Sequence, residues 1–381
     1  MTEKNKNITH PVPAGHPSQK GITVVVAMSG GVDSSVAAYL LKEQGYNLIG
    51  ITMKTWGYDD IPEKDSGCCS LETIYSARNV ATELGFPHYT LDFTDTFNDI
   101  VISNFVDEYM KGNTPNPCVL CNKEIKWGAL LRKAESLGAS YIATGHYAKL
   151  DYDENTKRHF VSVAVDKQKD QSYALWRVSQ EALSKTLFPL GGYTKPEIRK
   201  IAGELGLKPA NTPDSQEICF VPNDNYRELL QIRIPDFAEK FKEGDLVYKD
   251  KKIGTHKGFP NYTIGQRRGL NVALGKPVYV SKIDPEHNIV VIDDEENLYN
   301  SSFIVREINL MKIDKLDKPM EVRVKIRYKD DGASAIIEQI DDTHIKVTFS
   351  EPKKSITPGQ SAVFYDDDDV IGGGIIDRIL K

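Results

Sequence analysis

The 381-residue chain lacks any hydrophobic run that approaches the roughly 20 apolar residues needed to cross a membrane, so we expect no membrane partner. Its first 20 residues are polar and contain neither an apolar core nor an arginine. This composition argues against a secretory or mitochondrial signal and predicts a disordered lead-in over residues 1–20. Cysteine is scarce, with five residues. An odd number without a signal peptide predicts a reducing, cytoplasmic setting, in which cysteines serve catalysis or metal binding rather than disulfides.

Basic residues are not in excess either, because the formal net charge is −6. The overall charge argues mildly against nucleic-acid binding, which would have to depend on local clusters of basic residues. In one candidate cluster four cations alternate along a strand-like stretch, which predicts that they share one face and contact phosphates: Arg323, Lys325, Arg327 and Lys329.

The pattern of the chain changes near residue 226. Before it, β-branched runs alternate with amphipathic helical stretches, which predicts a doubly wound parallel-sheet α/β domain over residues 21–225. Ligands of such a sheet bind at the carboxyl ends of its strands. After it, short alternating runs separated by Gly/Pro turns predict a small connecting domain over 226–288 and a C-terminal β-barrel over 289–381.

A β-branched run meets an amphipathic helix at Ser29-Gly-Gly-Val-Asp-Ser-Ser35. A strand, a Gly-Gly turn and a helix N-terminus form an anion site, because unpaired backbone N–H groups converge there and glycine lets a phosphate approach closely. The spacing is neither that of a Walker loop nor that of a dinucleotide loop. It resembles the SGGxDS loop of the PP-loop ATPases, a family that cleaves ATP between the α and β phosphates.

Two cysteines, Cys118 and Cys121, form a C-x-x-C pair just before a helix predicted over 123–137, and Cys219 follows far along the chain. Thiols at a helix N-terminus have lowered pKa values, which suits a nucleophile or a metal ligand. The spacing alone leaves three interpretations open: a redox dithiol, half of a zinc site, or part of an iron–sulfur cluster. We interpret the adjacent Cys68 and Cys69 as structural.

Nearly the whole chain from residue 21 onward resembles the tRNA 2-thiouridylase family. The resemblance rests on the loop at 29–35 and on further segments in the same order: 115–122 (PNPCVLCN), 143–147 (ATGHY), 169–173 (KDQSY), 214–220 (DSQEICF), 262–270 (YTIGQRRGL), 325–328 (KIRY) and 358–360 (PGQ). It implies an ATP-dependent tRNA sulfurtransferase that adenylylates the C2 oxygen of the wobble uridine, position 34, and replaces it with sulfur. It also implies a partner protein that donates sulfur as a persulfide.

The resemblance also assigns residues. Cys219 would receive the persulfide, and Cys121 would be the nucleophile that forms a disulfide with it. Contacts to ATP, which binds with Mg²⁺, are implied for Ala27, Met28, Ser29, Gly30, Gly31, Val32, Asp33, Ser34, Met53 and Gly145. Contacts to tRNA are implied for Asn116, Pro117, Cys118, His146, Lys169, Asp170, Gln171, Arg327, Tyr328 and Gln360.

Cys118 departs from the pattern of the family, which usually has Asp at this position. Cys118, Cys121 and Cys219 would together supply three thiolates for a [4Fe–4S] cluster that leaves one iron open for hydrosulfide. The other interpretation is a third redox thiol at Cys118, or one that only fills the site. Two competing functions are another AMP-forming PP-loop enzyme and a non-catalytic iron–sulfur or RNA-binding protein, although the intact Asp33 argues against the latter.

Overall fold

A computed structural model describes residues 21–56, 70–207, 218–221, 223 and 225–380. Cys68, Cys69 and the segment 214–217 lie outside these residues. Within the described ranges, none of the helices combines the length and apolar character needed to span a membrane.

The first part of the chain contains most of the helices. They are α1 (Val32–Glu43), α2 (Leu71–Glu83), α3 (Thr94–Phe97), α4 (Ser103–Met110), α5 (Pro117–Leu120), α6 (Leu131–Ser136), α7 (Gln180–Ser184), α8 (Lys195–Glu204), α9 (Tyr226–Arg233) and α10 (Phe237–Lys240). Two π-helical segments, Asn98–Ile102 and Cys121–Leu130, make α3 to α4 and α5 to α6 continuous. The predicted helix over 123–137 therefore begins earlier, at Pro117, because proline is favoured in the first turn of a helix.

Five parallel strands form the first sheet, in the order β3-β2-β1-β4-β7. They are β1 (Thr23–Ala27), β2 (Asn47–Lys54), β3 (His88–Asp92), β4 (Tyr141–Ala143) and β7 (Thr186–Leu187). Val24 and Val26 of β1 pack into one hydrophobic cluster, and Val25 packs into another on the opposite face. Alternate side chains of a strand face opposite sides, so both faces of the sheet are covered, and the doubly wound α/β prediction is confirmed.

Two further sheets consist of later strands. The four-stranded sheet has the order β10-β11-β8-β9, with β8 (Gly244–Tyr248), β9 (Lys251–His256), β10 (Tyr279–Asp284) and β11 (Ile289–Asp293). The third sheet contains β12 (Tyr299–Leu310), β13 (Met320–Lys325), β14 (Ala333–Asp341), β15 (His344–Lys354), β16 (Ser361–Asp366) and β17 (Asp369–Leu380). Since β12 pairs with β17, these strands close on themselves, as predicted for the C-terminal barrel.

A hairpin from the α/β part of the chain extends the barrel. Its strands are β5 (Lys149–Asp153) and β6 (Arg158–Ser162), and Ser162 of β6 pairs with Asp369 of β17. Trp176 also joins the two parts, since it is fully buried and its indole N–H donates to Ser361 Oγ at 2.9 Å. The barrel is therefore attached to the α/β sheet through strand pairing and through packing.

Candidate active site

The loop at residues 29–35 connects β1 to the N-terminus of α1, as the sequence predicts. Gly30 has φ +77°, and a Cβ there would lie 2.1 Å from the backbone oxygen of Thr73, so only glycine fits. The hydroxyls of Ser34 and Ser35 both donate to the Gly31 carbonyl, at 3.2 and 2.9 Å. These bonds fix the loop, and the backbone N–H groups of the first turn of α1 remain the groups suited to bind phosphate.

Asp33 has two partners that come from distant parts of the chain. Both of its carboxylate oxygens accept from Lys195 Nζ at 2.8 Å, and Oδ1 also accepts from the Tyr147 hydroxyl at 2.8 Å. Gly145 packs directly against this turn, since a Cβ there would lie 2.8 Å from the Ser34 nitrogen. The structure therefore brings Gly145 to the phosphate loop.

Two methionines expected near ATP lie in different surroundings. The Met28 side chain is 2% exposed, and its carbonyl accepts from Thr52 Oγ1 at 2.7 Å, so the side chain belongs to the core. Met53 is half-buried near the end of β2 and packs against the clusters on both sides of it. Ala27 ends β1 just before the loop.

Cys118 and Cys121 lie within the first turns of the helix and not before it, which corrects the prediction. Asn116 is the N-cap residue, and its side chain makes no capping hydrogen bond. Cys121 and Cys219 are half-buried and pack against the same hydrophobic cluster, which also contains Phe220. The structure therefore places these two thiols on one apolar surface.

Cys118 has different surroundings from the other two thiols. Its residue is exposed to solvent, and desolvation by the protein around it raises the pKa of the thiol. The positive charge of Lys126 acts in the opposite direction. The predicted lowering of the pKa is therefore wrong for Cys118, because desolvation outweighs the helix terminus and the lysine. Partial burial, together with the charges of Asp170 and Cys118, raises the pKa of the Tyr328 phenol, so Tyr328 lies near Cys118.

His146 is 8% exposed, and both of its ring nitrogens have partners. Lys126 Nζ lies 3.2 Å from Nε2, and Thr144 Oγ1 lies 2.6 Å from Nδ1. A protonated lysine can only donate, so Nε2 accepts and the proton of the neutral imidazole lies on Nδ1. Burial and the charge of Lys126 hold the pKa of His146 well below its ordinary value, which keeps the ring neutral. The imidazole therefore orients Lys126.

The segment around residue 170 is held by hydrogen bonds of its own side chains to neighbouring parts of the protein. The Asp170 carboxylate accepts from the Ala164 N–H at 3.0 Å and from Ser172 Oγ at 2.7 Å, and its burial raises its pKa. Gln171 forms a reciprocal pair with Tyr147, in which its N–H donates to the Tyr147 carbonyl and its Oε1 accepts from the Tyr147 N–H. The side chains of Asp170 and Gln171 therefore hold the protein together at this position, and Lys169, which is half-buried, precedes them.

Gln360 of the barrel contacts the loop that precedes Asn116. Its Nε2 donates to the Thr114 carbonyl at 3.0 Å, and the Thr114 N–H donates to the Pro358 carbonyl at 2.9 Å. Gly359 has φ +91°, and a Cβ there would lie 2.9 Å from the Thr114 nitrogen. Residues 358–360 therefore act as a latch, which we call the barrel latch, on the loop that carries Asn116 and Pro117.

The predicted row of four cations on one strand face is wrong. Strand β13 ends at Lys325, because the Asp330 carboxylate accepts from the Ile326 N–H at 3.0 Å and turns the chain. Arg323 stacks on the Tyr365 ring and donates to backbone carbonyls, whereas Arg327 lies in the turn and is exposed. The basic groups that face solvent here are those of the turn.

Lys126 and Lys195 are functional candidates that the sequence did not reveal. Lys195 is the first residue of α8, which begins with a capping box in which the Thr194 N–H donates to the Glu197 carboxylate at 2.7 Å. The capping signal places Lys195 at a helix N-terminus, but its partner Asp33 is 162 positions away. No local pattern identifies such a pair.

The described residues give no support for a metal cluster at the three thiols. No group of three or more His, Cys, Asp or Glu side chains suited to a metal ion occurs in the part of the chain that the structure describes. Cys121 and Cys219 lie against one apolar cluster, while Cys118 lies towards Lys126. Cys121 and Cys219 therefore form a half-buried pair, and Cys118 is separate from them.

The fold and the site together define a class: an α/β nucleotide-binding protein with a phosphate loop, paired thiols and two appended β-sheets. Family models match in the same order, described as a tRNA methyl transferase HUP domain over residues 22–223, a tRNA methyl transferase PRC-barrel domain over 236–294 and an aminomethyltransferase beta-barrel domain over 300–376. The HUP model alone matches more than half of the chain.

Full-length relatives give the particular family. A tRNA-specific 2-thiouridylase of Salinibacter ruber is 52% identical, with 95% of this chain and 96% of that one covered. Another, of Clostridioides difficile, is 47% identical, with 94% and 98% covered. The chain belongs to the tRNA-specific 2-thiouridylase family. A solved 4-thiouridine synthetase–RNA complex with bound ATP is 16% identical at a TM-score of 0.33 over 57% of this chain and 51% of that one, which adds nothing to this assignment.

Proposed function

We propose that the chain is an ATP-dependent tRNA sulfurtransferase that replaces the C2 oxygen of the wobble uridine, position 34, with sulfur. The observation that carries the proposal is one arrangement in a member of this family: a phosphate loop at the carboxyl end of β1, and Cys121 and Cys219 on one apolar surface. An oxygen is activated at the first site, and a sulfur atom is delivered at the second.

The first half-reaction needs the phosphate loop. The uracil O2 attacks the α-phosphorus of ATP, the bond to the β-phosphate oxygen breaks, and pyrophosphate leaves while N3 loses its proton. Oxide is a very poor leaving group, whereas AMP departs readily. The loop amides around Gly31 and the N-terminus of α1 are suited to the triphosphate. Mg²⁺ would enter with ATP, and Asp33 is the carboxylate that the loop itself supplies.

The second half-reaction uses the two half-buried thiols. A partner protein loads Cys219 with a persulfide, and the Cys121 thiolate attacks its inner sulfur. The disulfide between Cys121 and Cys219 forms, and the terminal sulfur leaves as hydrosulfide with the electron pair of the broken bond. Hydrosulfide adds to C2, AMP leaves with the C–O electron pair, and N3 regains a proton. A thiol reductant then restores both cysteines.

We assign no step to a [4Fe–4S] cluster, because the described thiols do not gather as ligands. Cys118 instead contacts the extruded base, together with Asn116 and Tyr328.

Asn116, Arg327 and Tyr328 supply further contacts to the tRNA. The wobble base of an anticodon loop is unpaired, so extruding it costs less than extruding a base from a duplex. Asn116 offers a side-chain amide that is not used in capping, which suits the polar edge of uracil. Arg327 and Tyr328 are exposed in the turn after β13, which suits phosphate contact and stacking. A cytoplasmic setting, which keeps thiols reduced, suits this chemistry.

The experiment feeds sulfur in two ways. A transcript with uridine 34 and a matched transcript with cytidine 34 are incubated with ATP and either a persulfide-donating protein or inorganic sulfide, and nucleosides are analysed by mass spectrometry. We expect 2-thiouridine only with uridine 34, one AMP per product, and no product from Cys219→Ser with the persulfide donor. Inorganic sulfide should restore product to Cys219→Ser. Product that is independent of ATP, or that forms in the cytidine transcript, would overturn the proposal.

A further inference from the structure

Asp33 is the one acidic side chain of the phosphate loop, and its carboxylate is held at both oxygens. Lys195 Nζ lies 2.8 Å from each oxygen, and the Tyr147 hydroxyl donates to Oδ1 at 2.8 Å. The Lys195 side chain is 8% exposed and the Asp33 side chain 33%, so the pair lies at the inner end of the loop with the carboxylate reaching solvent. A carboxylate with three donated bonds has little rotational freedom.

The two donors are themselves fixed. Lys195 is the first residue of α8, and its backbone N–H donates to the Asp166 carboxylate at 2.9 Å. Tyr147 is 3% exposed in the hydrophobic cluster that also contains α1, and Gln171 pairs with its backbone on both sides. Neither donor can follow Asp33 if its carboxylate moves, so both act as fixed points.

Charge supplies the second reason for the arrangement. An unpaired carboxylate in an anion-binding loop repels a triphosphate, and the effect is strong where protein limits the access of water. Lys195 compensates this charge without occupying the loop, because its ammonium is buried behind Asp33. The compensated carboxylate can then remain close to the phosphates and to their metal ion.

We propose that Lys195 and Tyr147 are positioning residues of the ATP site, and that they act by fixing and neutralising the Asp33 carboxylate. The inference rests on the proposed function, because it takes ATP to be the ligand of the loop. It assigns a role to two side chains outside the phosphate-loop motif and predicts that their loss weakens ATP binding specifically.

The test measures binding of Mg·ATP and of tRNA separately on full-length Lys195→Met and Tyr147→Phe. One hydrogen bond to a charged group is lost in Tyr147→Phe, so we expect about fivefold weaker ATP binding, and at least about tenfold for Lys195→Met. Binding of tRNA and the melting temperature should change no more than in the controls. The control for Lys195→Met is Lys200→Met, because Lys200 is exposed on the same helix. The control for Tyr147→Phe is Tyr46→Phe, which removes a buried hydroxyl from the same hydrophobic cluster.

A cycle with Asp33→Asn separates this role from a purely structural one. Because Tyr147→Phe changes no charge, its effect on ATP binding should fall below about twofold once the carboxylate is gone. An unchanged fivefold effect in that background, or ATP binding by both single variants within twofold of wild type, would overturn the inference. Absence of ATP binding by the wild-type protein would instead contradict the proposed function.

Discussion

The barrel latch gives the prediction that the structure supports in most detail. In Gly359→Ala the new Cβ would lie 2.9 Å from the Asn113 Cβ and from the Thr114 nitrogen, closer than such atoms approach, at a residue with φ +91°. The backbone strain of alanine at this positive φ costs about 1 kcal/mol. The hydrogen bonds from the Thr114 N–H and from Gln360 contribute about 1 kcal/mol each, so the loop would lose roughly 3 kcal/mol of docking free energy.

This loss corresponds to about a hundredfold change in the population of the docked loop. Because the loop carries Asn116 and leads into the helix that contains Cys118, a displacement of the base from its reacting partner has an effect of similar size. We expect the single-turnover rate of 2-thiouridine formation at saturating tRNA to fall up to about a hundredfold, with ATP affinity unchanged. Gly138→Ala is the matched control, since Gly138 has φ +76° and open space around its Cβ position. Equal rates for the two variants would refute the latch.

Three further predictions follow from the site. Arg327→Ala should reduce the dependence of the tRNA binding constant on salt concentration by the equivalent of about one phosphate contact. Arg323→Ala loses its contact with a tyrosine ring and should mainly lower the melting temperature. The reverse pattern would contradict the positions of these two arginines. The pKa of His146 is lowered, so the free energy of unfolding should fall as the pH drops below about 6.5, by up to about 1.4 kcal/mol per pH unit. In urea titrations at several pH values, His146→Gln should show a weaker dependence on pH. An unchanged dependence would contradict the neutral, buried imidazole. Anaerobically purified protein should contain well under one iron per chain; iron that is lost in Cys118→Ser would establish the cluster instead.

The elements around the phosphate loop could be predicted from local patterns. The β-branched run before Ser29 and the helical spacing after it correspond to β1 and α1, because both faces of the strand are buried by helices. The start of α8 also follows a local pattern, because the capping-box residues Thr194 and Glu197 are three positions apart. These features depend on residues within one turn or one strand of each other, which is the range that sequence patterns cover.

The parts that were missed depend on distant residues. Lys195 meets Asp33 across 162 positions, and strand β13 ends early because of the Asp330 carboxylate, whose own partner is Lys353 at 2.8 Å. The alternating charges predicted a strand that continues past Lys325. Such a pattern carries no information about the Asp330 carboxylate, which ends the strand. The pKa of Cys118 was misjudged for the same reason, since helix position is local and desolvation is set by the whole fold.

The most direct test of the account follows sulfur and phosphate in one reaction. The enzyme, a uridine-34 transcript, α-³²P-ATP and a persulfide-donating protein are mixed, and 2-thiouridine, AMP and pyrophosphate are measured over time. The account predicts equal amounts of all three, with thiolation confined to position 34. Sulfur incorporation without AMP, or AMP formed with thiolation at a different nucleoside, would contradict it.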